Sequence, residues 1–540
     1  MKLFTYISMV CLFLTQANPI FAQDKPVRKE IEANEVEGGF TVVPVGENGV
    51  VVYYEMEKGP NSRNDWKFTR YDTDFKEISE LIFSVEGGLT VYEYKYREDE
   101  NVLYILFTKK KKAEIVIYDL NKNAITGKVV TTSGVGRYVR SFDAKDNLAV
   151  YGGHTSNRKF PQIVLTILYP LWYCGSPMGL YKYKPHSSYT IVDTRTGKSK
   201  DIVESGGTYS YVVGFADNFN ERPGITAIVN SRKKNESYLE FFNVDDEFSP
   251  ESVAKLEVPF NNIYLNAIVS GDKKNSFYII GNYYDKGKAS EAMATGSVKG
   301  YISNGLFIAL IEDGKAIYFK YHTFDKFKEF FSYMSTRGKK KMAKKKARAE
   351  KKGKVLDYGT NLLFHREVIE QNGNRVVIGE AYYPRYETHC YSSYVNGQWV
   401  QTCYTVFVGY QFTHCMIAAF DKEGEIVWDY SFPLGQILTF DLRHKVKAVA
   451  NKEDIRLFYN YGGALSSFVV SEGRRVSSTA MAEVESLYDE DNTQSNSSSN
   501  VQYWYNNFFI ATGFQKIKNT EKEGGKKKRY VYYFNKMAYE

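Results

Sequence analysis

The stretch LTVYEYKYREDENVLYILFTKKKKAEIVIYDLNKNAITGKVV, residues 89–130, holds four short β-rich runs bounded by polar turn residues. The runs cover residues 89–96, 102–108, 114–118 and 125–130, and the third ends in the turn Tyr118-Asp119-Leu120-Asn121-Lys122. The same turn, an aliphatic or aromatic residue followed by an acid, returns as Val192-Asp193-Thr194-Arg195-Thr196-Gly197, Ile311-Glu312-Asp313-Gly314 and Phe420-Asp421-Lys422-Glu423-Gly424, with a weaker copy at Val470-Ser471-Glu472-Gly473. An earlier module occupies residues 40–45, 50–56, 66–71 and 77–83, and later ones open near Tyr138, Tyr209, Ile263, Leu362, Thr439 and Gln502. Four strands cannot bury their own two faces. About eight regular copies therefore predict units that stack on one another in a repeat architecture.

The eighth copy has only three strands, residues 502–506, 508–514 and 529–536, while the alternating segment 27–36 has no partner nearby. Pairing that N-terminal segment with the last module removes an exposed sheet edge. The expectation is an all-β chain, a β-propeller of eight four-stranded blades closed by its N-terminal strand, with seven blades and an open two-sheet arrangement as the alternatives. Gly152, Gly281, Gly379, Gly462 and Gly513 each fall late in a second strand, where glycine marks a bulge or a close backbone approach. With 45 Tyr, 35 Phe and only 13 Pro, the composition suits half-buried strands rather than linkers.

Residues 1–22 have the parts of a secretory signal: Lys2, an apolar run over 4–14, and a small-residue site at Ala22. Cys11 lies inside the apolar run behind Val10, which does not suit a lipid attachment site. No later segment has the roughly 20 apolar residues of a spanning helix, so residues 24–540 are expected as a single exported propeller domain, periplasmic or extracellular and associated with the envelope. The net charge of +8 comes from residues 337–354, where eleven Lys and Arg face one acid, and the rest is close to neutral. Nucleic acid is therefore not the expected partner. The basic arm (Lys339, Lys340, Lys341, Lys344, Lys345, Lys346, Arg348) reads as a solvated helix or a contact for polyanions. It follows Phe324, Phe327, Phe330 and Phe331, whose helical spacing lets one face bury, so residues 324–354 form a helical, lysine-rich insertion with Gly338 preceding its basic part. The apolar segment 160–173 reads as packed on the fold's surface or as a docking patch, and the Ser/Asn-rich segment 489–500 as a loop.

Four cysteines remain beyond Cys11. Asn396-Gly397 is a two-residue hairpin turn, and counting outward from it sets Val395 against Gln398, Tyr394 against Trp399 and Cys390 against Cys403. That rung is a non-hydrogen-bonded pair, with the short Cα separation a disulfide needs. Cys174 and Cys415 would be a second bridge, between modules three and six. The His389-Cys390 and His414-Cys415 pairs look like metal ligands, but neighbours on a strand point to opposite faces, so no metal site and no cofactor are expected. The hairpin insertion, residues 384–412, carries Tyr391, Tyr394 and Trp399, which can stack on a sugar or grip a protein, or pack across the strands.

The chain has no G-x-S-x-G elbow, H-E-x-x-H helix, P-loop or G-x-G-x-x-G fingerprint. Asp217, Glu367 and Glu380 could face a central cavity, but no pair has a diagnostic spacing. The stretches Ile378-Gly379-Glu380-Ala381-Tyr382-Tyr383-Pro384, Gly409-Tyr410-Gln411-Phe412-Thr413-His414 and Phe420-Asp421-Lys422-Glu423-Gly424-Glu425-Ile426-Val427-Trp428-Asp429 resemble a group of uncharacterised exported proteins of Bacteroidota, over about residues 263–430. The resemblance implies export and carries no activity. The leading expectation is a binding or scaffolding protein of the cell envelope that holds an envelope protein or glycan. The alternative is a carbohydrate-active or peptide-cleaving enzyme with acids at the central channel.

Overall fold

The computed structural model describes residues 27–33, 39–56, 63–109, 112–132, 139–156, 185–203, 209–217, 225–233, 236–244, 251–259, 262–273, 276–285, 302–353, 358–395, 398–434, 437–440, 442–450, 454–472, 474–484, 486–488, 490–519 and 528–538. The expected signal segment, the apolar segment 160–173 and Cys174 lie outside them. Two compact units emerge, Met1–Glu55 with Lys67–Leu81 and Lys445–Glu540, and Met56–Trp66 with Ile82–His444.

In the first unit, the terminal sheet is ordered Val27–Glu32, Lys528–Ala538, Phe508–Lys518, Asn492–Tyr505, so the N-terminal strand completes a sheet made by the C-terminal residues. Its register runs from Val27 against Lys536 to Glu32 against Val531, all antiparallel. Val27 and Ile31 pack on the apolar side with Phe514, Tyr532 and Phe534. Arg28 and Glu30 take the other side. There the buried Arg28 guanidinium donates to Gln515 Oε1 at 2.6 Å and Asn535 Oδ1 at 3.1 Å, pairs with Glu30 at 2.9 Å and lies 4.6 Å over the Tyr533 ring. Glu30 in turn accepts from Arg529, which also holds Asp491. The first sheet (Thr41–Pro44, Val50–Glu55, Arg63–Tyr71, Glu77–Glu86) meets the terminal sheet through Val42, Val50, Tyr71 and Phe75 against Trp504, Ile510 and Phe534. The seventh (Val446–Ala450, Ile455–Tyr461, Ala464–Ser471, Arg474–Glu483) meets its other face through Phe458 and Leu465 against Val501 and Phe509.

The second unit repeats the plan. The second sheet is Thr90–Arg97, Val102–Lys109, Lys112–Asp119 and Ala124–Thr132; the third Val139–Lys145, Leu148–Ser156, Pro185–Asp193 and Ser199–Val203. The fourth is Tyr209–Asp217, Ile225–Lys233, Glu236–Val244 and Glu251–Glu257; the fifth Asn262–Lys273, Ser276–Asp285, Gly305–Glu312 and Lys315–Thr323. The sixth is built on Asn361–Phe364, Asn374–Val395, Gln398–Phe420 and Ile426–Pro433, with Ile369–Gln371 and Leu438–Thr439 as short additions. Apolar clusters join the second sheet to the third, the fourth to the fifth and the fifth to the sixth. The middle strands are buried on both faces, as Ile279 and Ile280 or Phe307 and Ile308 show, which is why they read as continuous apolar runs. At Gly281 a Cβ would sit 2.0 Å from the Asn266 carbonyl and 2.7 Å from the Phe307 ring, so only glycine lets the first and second strands approach.

The recurrent turn acid has a mechanical role. Asp119 Oδ1 accepts from the backbone N–H groups of Asn121 and Lys122, Asp193 Oδ1 from those of Arg195 and Thr196, and Asp421 Oδ1 from that of Glu425. Each carboxylate closes the hairpin between third and fourth strands by satisfying turn N–H groups. Asp313 and Gly314, at φ 47° and 76°, make the tighter two-residue version.

Several expectations change. Thr439 does not open the seventh module; it pairs with Tyr410 on the sixth sheet, and the seventh begins at Val446. Of the segment 489–500, residues 492–500 are not a loop but begin the strand Asn492–Tyr505, whose bulges accommodate their polar side chains. Gly462 lies in a turn at φ 63°, past its strand, where nothing crowds it. Phe324 to Phe331 form a 3-10 turn (Phe324–Lys326) and further turns rather than an α-helix, although Phe324, Phe327 and Phe330 bury as the spacing of three requires. Asp429 fixes this segment by accepting from the N–H groups of Lys328 (2.8 Å) and Glu329 (2.7 Å).

Replacing Arg28 with alanine is expected to lower the unfolding free energy by about 2–4 kcal/mol, because it removes a buried charged donor from Gln515, Asn535 and Glu30. Urea titration measures it, and an unchanged midpoint would contradict the role given to this seam.

Candidate functional site

The two middle strands of the sixth sheet, Asn374–Val395 and Gln398–Phe420, run far past the sheet's other strands and end in the disulfide hairpin. The observed register is the expected one: Val395 opposes Gln398, Tyr394 opposes Trp399, and Cys390 opposes Cys403. Cys390 and Cys403 are bonded, with a Cα separation of 4.1 Å. Residues 384–412 are thus an extension of two sheet strands rather than a separate inserted element.

Strand alternation sorts the hairpin's aromatics onto two faces. Tyr394 and Trp399 share the disulfide's face in an edge-to-face pair with centroids 5.3 Å apart. Further down that face, Tyr386 packs on Phe407, which touches Tyr410 and Phe440. Tyr391 is on the opposite face beside Tyr404 and His389, so the three expected ligand-binding residues do not converge. Trp399 is 73% exposed, Phe440 70% and Tyr394 63%, large apolar surface that the fold itself leaves uncovered.

The basic segment forms one helix, Thr336–Glu350, with Ser335 accepting from the N–H of Gly338, which lies in the helix's first turn instead of ahead of it. Lys339, Lys340, Lys341, Lys344, Lys345, Lys346 and Arg348 are all exposed, and the helix buries no residue.

A third cluster was not legible in the sequence. The first strand of the sixth sheet stops at Phe364 and resumes at Ile369. In the gap, the His365 N–H donates to the Ile378 carbonyl, and His365 Nε2 lies 2.7 Å from Glu380 Oε1. His444 Nδ1 approaches the same oxygen to 3.6 Å, and the two imidazole rings are 4.2 Å apart. Glu380 is fully buried. Burial alone would raise its pKa, but the hydrogen bonds and charge of His365 and His444 outweigh that and hold it well below the usual carboxylate range. Beside it, Arg366 makes a two-pronged ion pair with Glu93 of the second sheet, at 2.7 and 3.2 Å. Glu367 is exposed, and the backbone alone of Asp217 is described, at the end of its strand. Glu380 is therefore a paired carboxylate and not a free acid of a glycosidase-like pair.

The expected His-Cys pairs divide between faces as strand geometry requires. Cys390 is in the disulfide. Cys415 opposes Glu380 across the strands; burial, and then the charge of Glu380, push its thiol pKa up. It has no disulfide partner among the described residues. His414 stacks flat on Tyr333, 3.7 Å between centroids, with Nδ1 2.9 Å from Thr413 Oγ1. Burial drives the His414 pKa down to about 3. Elsewhere in the same unit a polar cleft of about 400 Å³ is lined by Tyr104, Asp119, Lys122, Lys128, Asn147 and Arg195.

Repeated antiparallel sheets, nearly all four-stranded and joined by apolar clusters within each unit, with a terminal sheet completed by the N-terminal strand, define a β-propeller protein. No family model and no curated protein sequence matches the chain. Among solved structures it is similar to the dihydro-heme d1 dehydrogenase NirN in complex with DHE, at 11% identity and TM-score 0.39, covering 96% of this chain and 82% of that one. It is also similar to the Dos1 propeller, at 8% identity and TM-score 0.37, covering 95% and 96%. A third is the β-propeller domain of the Trilobed protease from Pyrococcus furiosus, at 8% identity and TM-score 0.33, covering 84% and 98%. Likenesses this distant say nothing about activity. No helix among the described residues is long and apolar enough to cross a membrane.

Two outcomes follow from this geometry. The disulfide closes a short loop at the hairpin tip, 13 residues in separation, so replacing both cysteines with serine should leave the main unfolding transition in place. It should cost the tip about 2–3 kcal/mol of local stability, read as amide exchange roughly 30- to 150-fold faster around Tyr391 and Thr402. Unchanged exchange would show that the bond does not stiffen the tip. The buried neutral His414 makes stability acid-sensitive: the unfolded chain takes up a proton below its ordinary pKa that the folded chain refuses until about pH 3. That contribution is complete above about pH 6.5 and lost on acidification, by about 2–3 kcal/mol at pH 4.5. The H414F variant should lose correspondingly less stability between pH 7 and 4.5 in chemical denaturation, and parallel curves would overturn the assignment.

Proposed function

We propose that this chain is an exported β-propeller of eight blades that acts as a binding or scaffolding protein in the cell envelope, with the disulfide-bonded hairpin as its contact surface. The observation that carries the reading is the exposed aromatic row on the disulfide's face: Tyr394 and Trp399 at the tip, Phe440 near the base. Exposed rings on a stiffened strand pair present apolar area at little entropic cost, which suits stacking on a sugar ring or gripping a protein partner. Export is supported by the signal-like residues 1–22, by a disulfide, and by the resemblance of residues 263–430 to exported proteins of Bacteroidota. The helix Thr336–Glu350 supplies a separate contact for polyanions such as acidic glycan, or a solvated tether. The alternative, a carbohydrate-active or peptide-cleaving enzyme, has less support because Glu380 is buried and paired with histidine.

The test places a photo-crosslinking amino acid at position 399 or at 391, on the two faces of the hairpin, in cells that express the chain. Cross-links to one defined envelope protein or glycan from position 399, reduced at least tenfold by Y394A and by truncation of Phe440 to alanine, are the expected result. Equal labelling from both faces, insensitive to those variants, would remove the hairpin as the contact surface. Deleting residues 337–354 in the same assay separates the basic arm's part from the hairpin's.

A further inference from the structure

We infer that His365, Glu380 and His444 form a mononuclear site for a divalent transition-metal ion, independent of the hairpin. One ligand atom from each residue lies within 4.8 Å of the other two. His365 Nε2 and His444 Nδ1 stand 2.7 and 3.6 Å from Glu380 Oε1. An ion held at about 2.0–2.2 Å by two imidazole nitrogens and a carboxylate oxygen requires ligand atoms about 3–3.5 Å apart. The cluster reaches this spacing when the closest pair opens by a few tenths of an ångström and the widest, up to 4.8 Å apart, closes by about an ångström, adjustments within the reach of side-chain rotation.

The chemistry points the same way. As ligands to an ion, two neutral imidazoles and one carboxylate would sum to a single negative charge, and the carboxylate is out of water, where an adjacent dication compensates it more fully than a hydrogen bond. Two nitrogen donors select zinc, iron, cobalt, nickel or copper over magnesium and calcium, which prefer oxygen. The frame is rigid where it matters. Glu380 sits between Leu363 and Cys415 in strand register, and the His365 backbone is bonded to Ile378. The histidine side chains are 13% and 27% exposed, so an ion held here keeps a coordination position facing water. Three protein ligands with an open position distinguish this set from a closed structural site.

The experiment uses the full mature chain, tag removed and stripped with chelator, titrated with zinc chloride by calorimetry, with bound metal counted by mass spectrometry. The expected result is one zinc per chain, a raised melting temperature, and no displacement by excess magnesium or calcium. H444N, at the most exposed ligand, and E380Q should each weaken binding by at least roughly 100-fold, beyond the loss typical of a supporting residue. H389A, on the hairpin, should bind as the unaltered chain does. Circular dichroism of the metal-free proteins separates lost ligation from lost fold, and H444N keeps the test decisive where E380Q fails to fold. No saturable zinc uptake by the unaltered chain, or undiminished uptake by folded H444N, would overturn the inference and leave the cluster as a hydrogen-bonded strap.

Discussion

The constraint on which the structure depends is that the middle strands of each sheet are apolar on both faces. A sheet such as the one holding Ile279, Ile280, Phe307 and Ile308 has no side it can turn to water, so it is stable only between neighbours. That requirement explains the clusters joining one sheet to the next and the glycine at 281, where a side chain would hold two strands apart. It also explains why polarity concentrates at the turns and in what protrudes. The aspartates at 119, 193 and 421 spend their carboxylates on turn N–H groups, and the long hairpin and the basic helix leave the packed layers altogether.

The sequence made legible whatever was local and periodic. Strand alternation, turn acids and the Asn396-Gly397 turn led to the sheets and to the Cys390–Cys403 register, because each depends on residues a few positions apart. The same parity rule already separates Tyr391 from Tyr394 and Trp399, since an odd spacing along a strand puts side chains on opposite faces. Composition misled at residues 489–500, where Ser and Asn suggest a loop; bulges and the pairing of Asp491 with Arg529 let the strand absorb them. Thr439 misleads because its two-residue strand has the look of a module opening in sequence while it pairs with Tyr410 of the preceding sheet.

The histidine cluster was beyond sequence reading for a different reason. His365 follows one strand, Glu380 lies in the middle of another, and His444 precedes the seventh sheet, with no motif spacing among them. Only the break in a first strand between Phe364 and Ile369 brings His365 to Glu380. The sequence drew attention to other histidines, at 389 and 414, because they neighbour cysteines. In the fold those two meet aromatic rings, with His414 packed flat against Tyr333.

The pairing of Val27–Glu32 with Lys528–Ala538 also sets an order of events. An early strand waits for much later residues: Arg28 finds its neighbours Gln515 and Asn535 only 487 and 507 residues further along the chain. Closing so long a loop costs entropy that no local contact returns, so every other sheet can assemble beforehand. The terminal sheet then behaves as a latch. Until it shuts, the sheets on either side of it lack one packed face and stay open to unfolding.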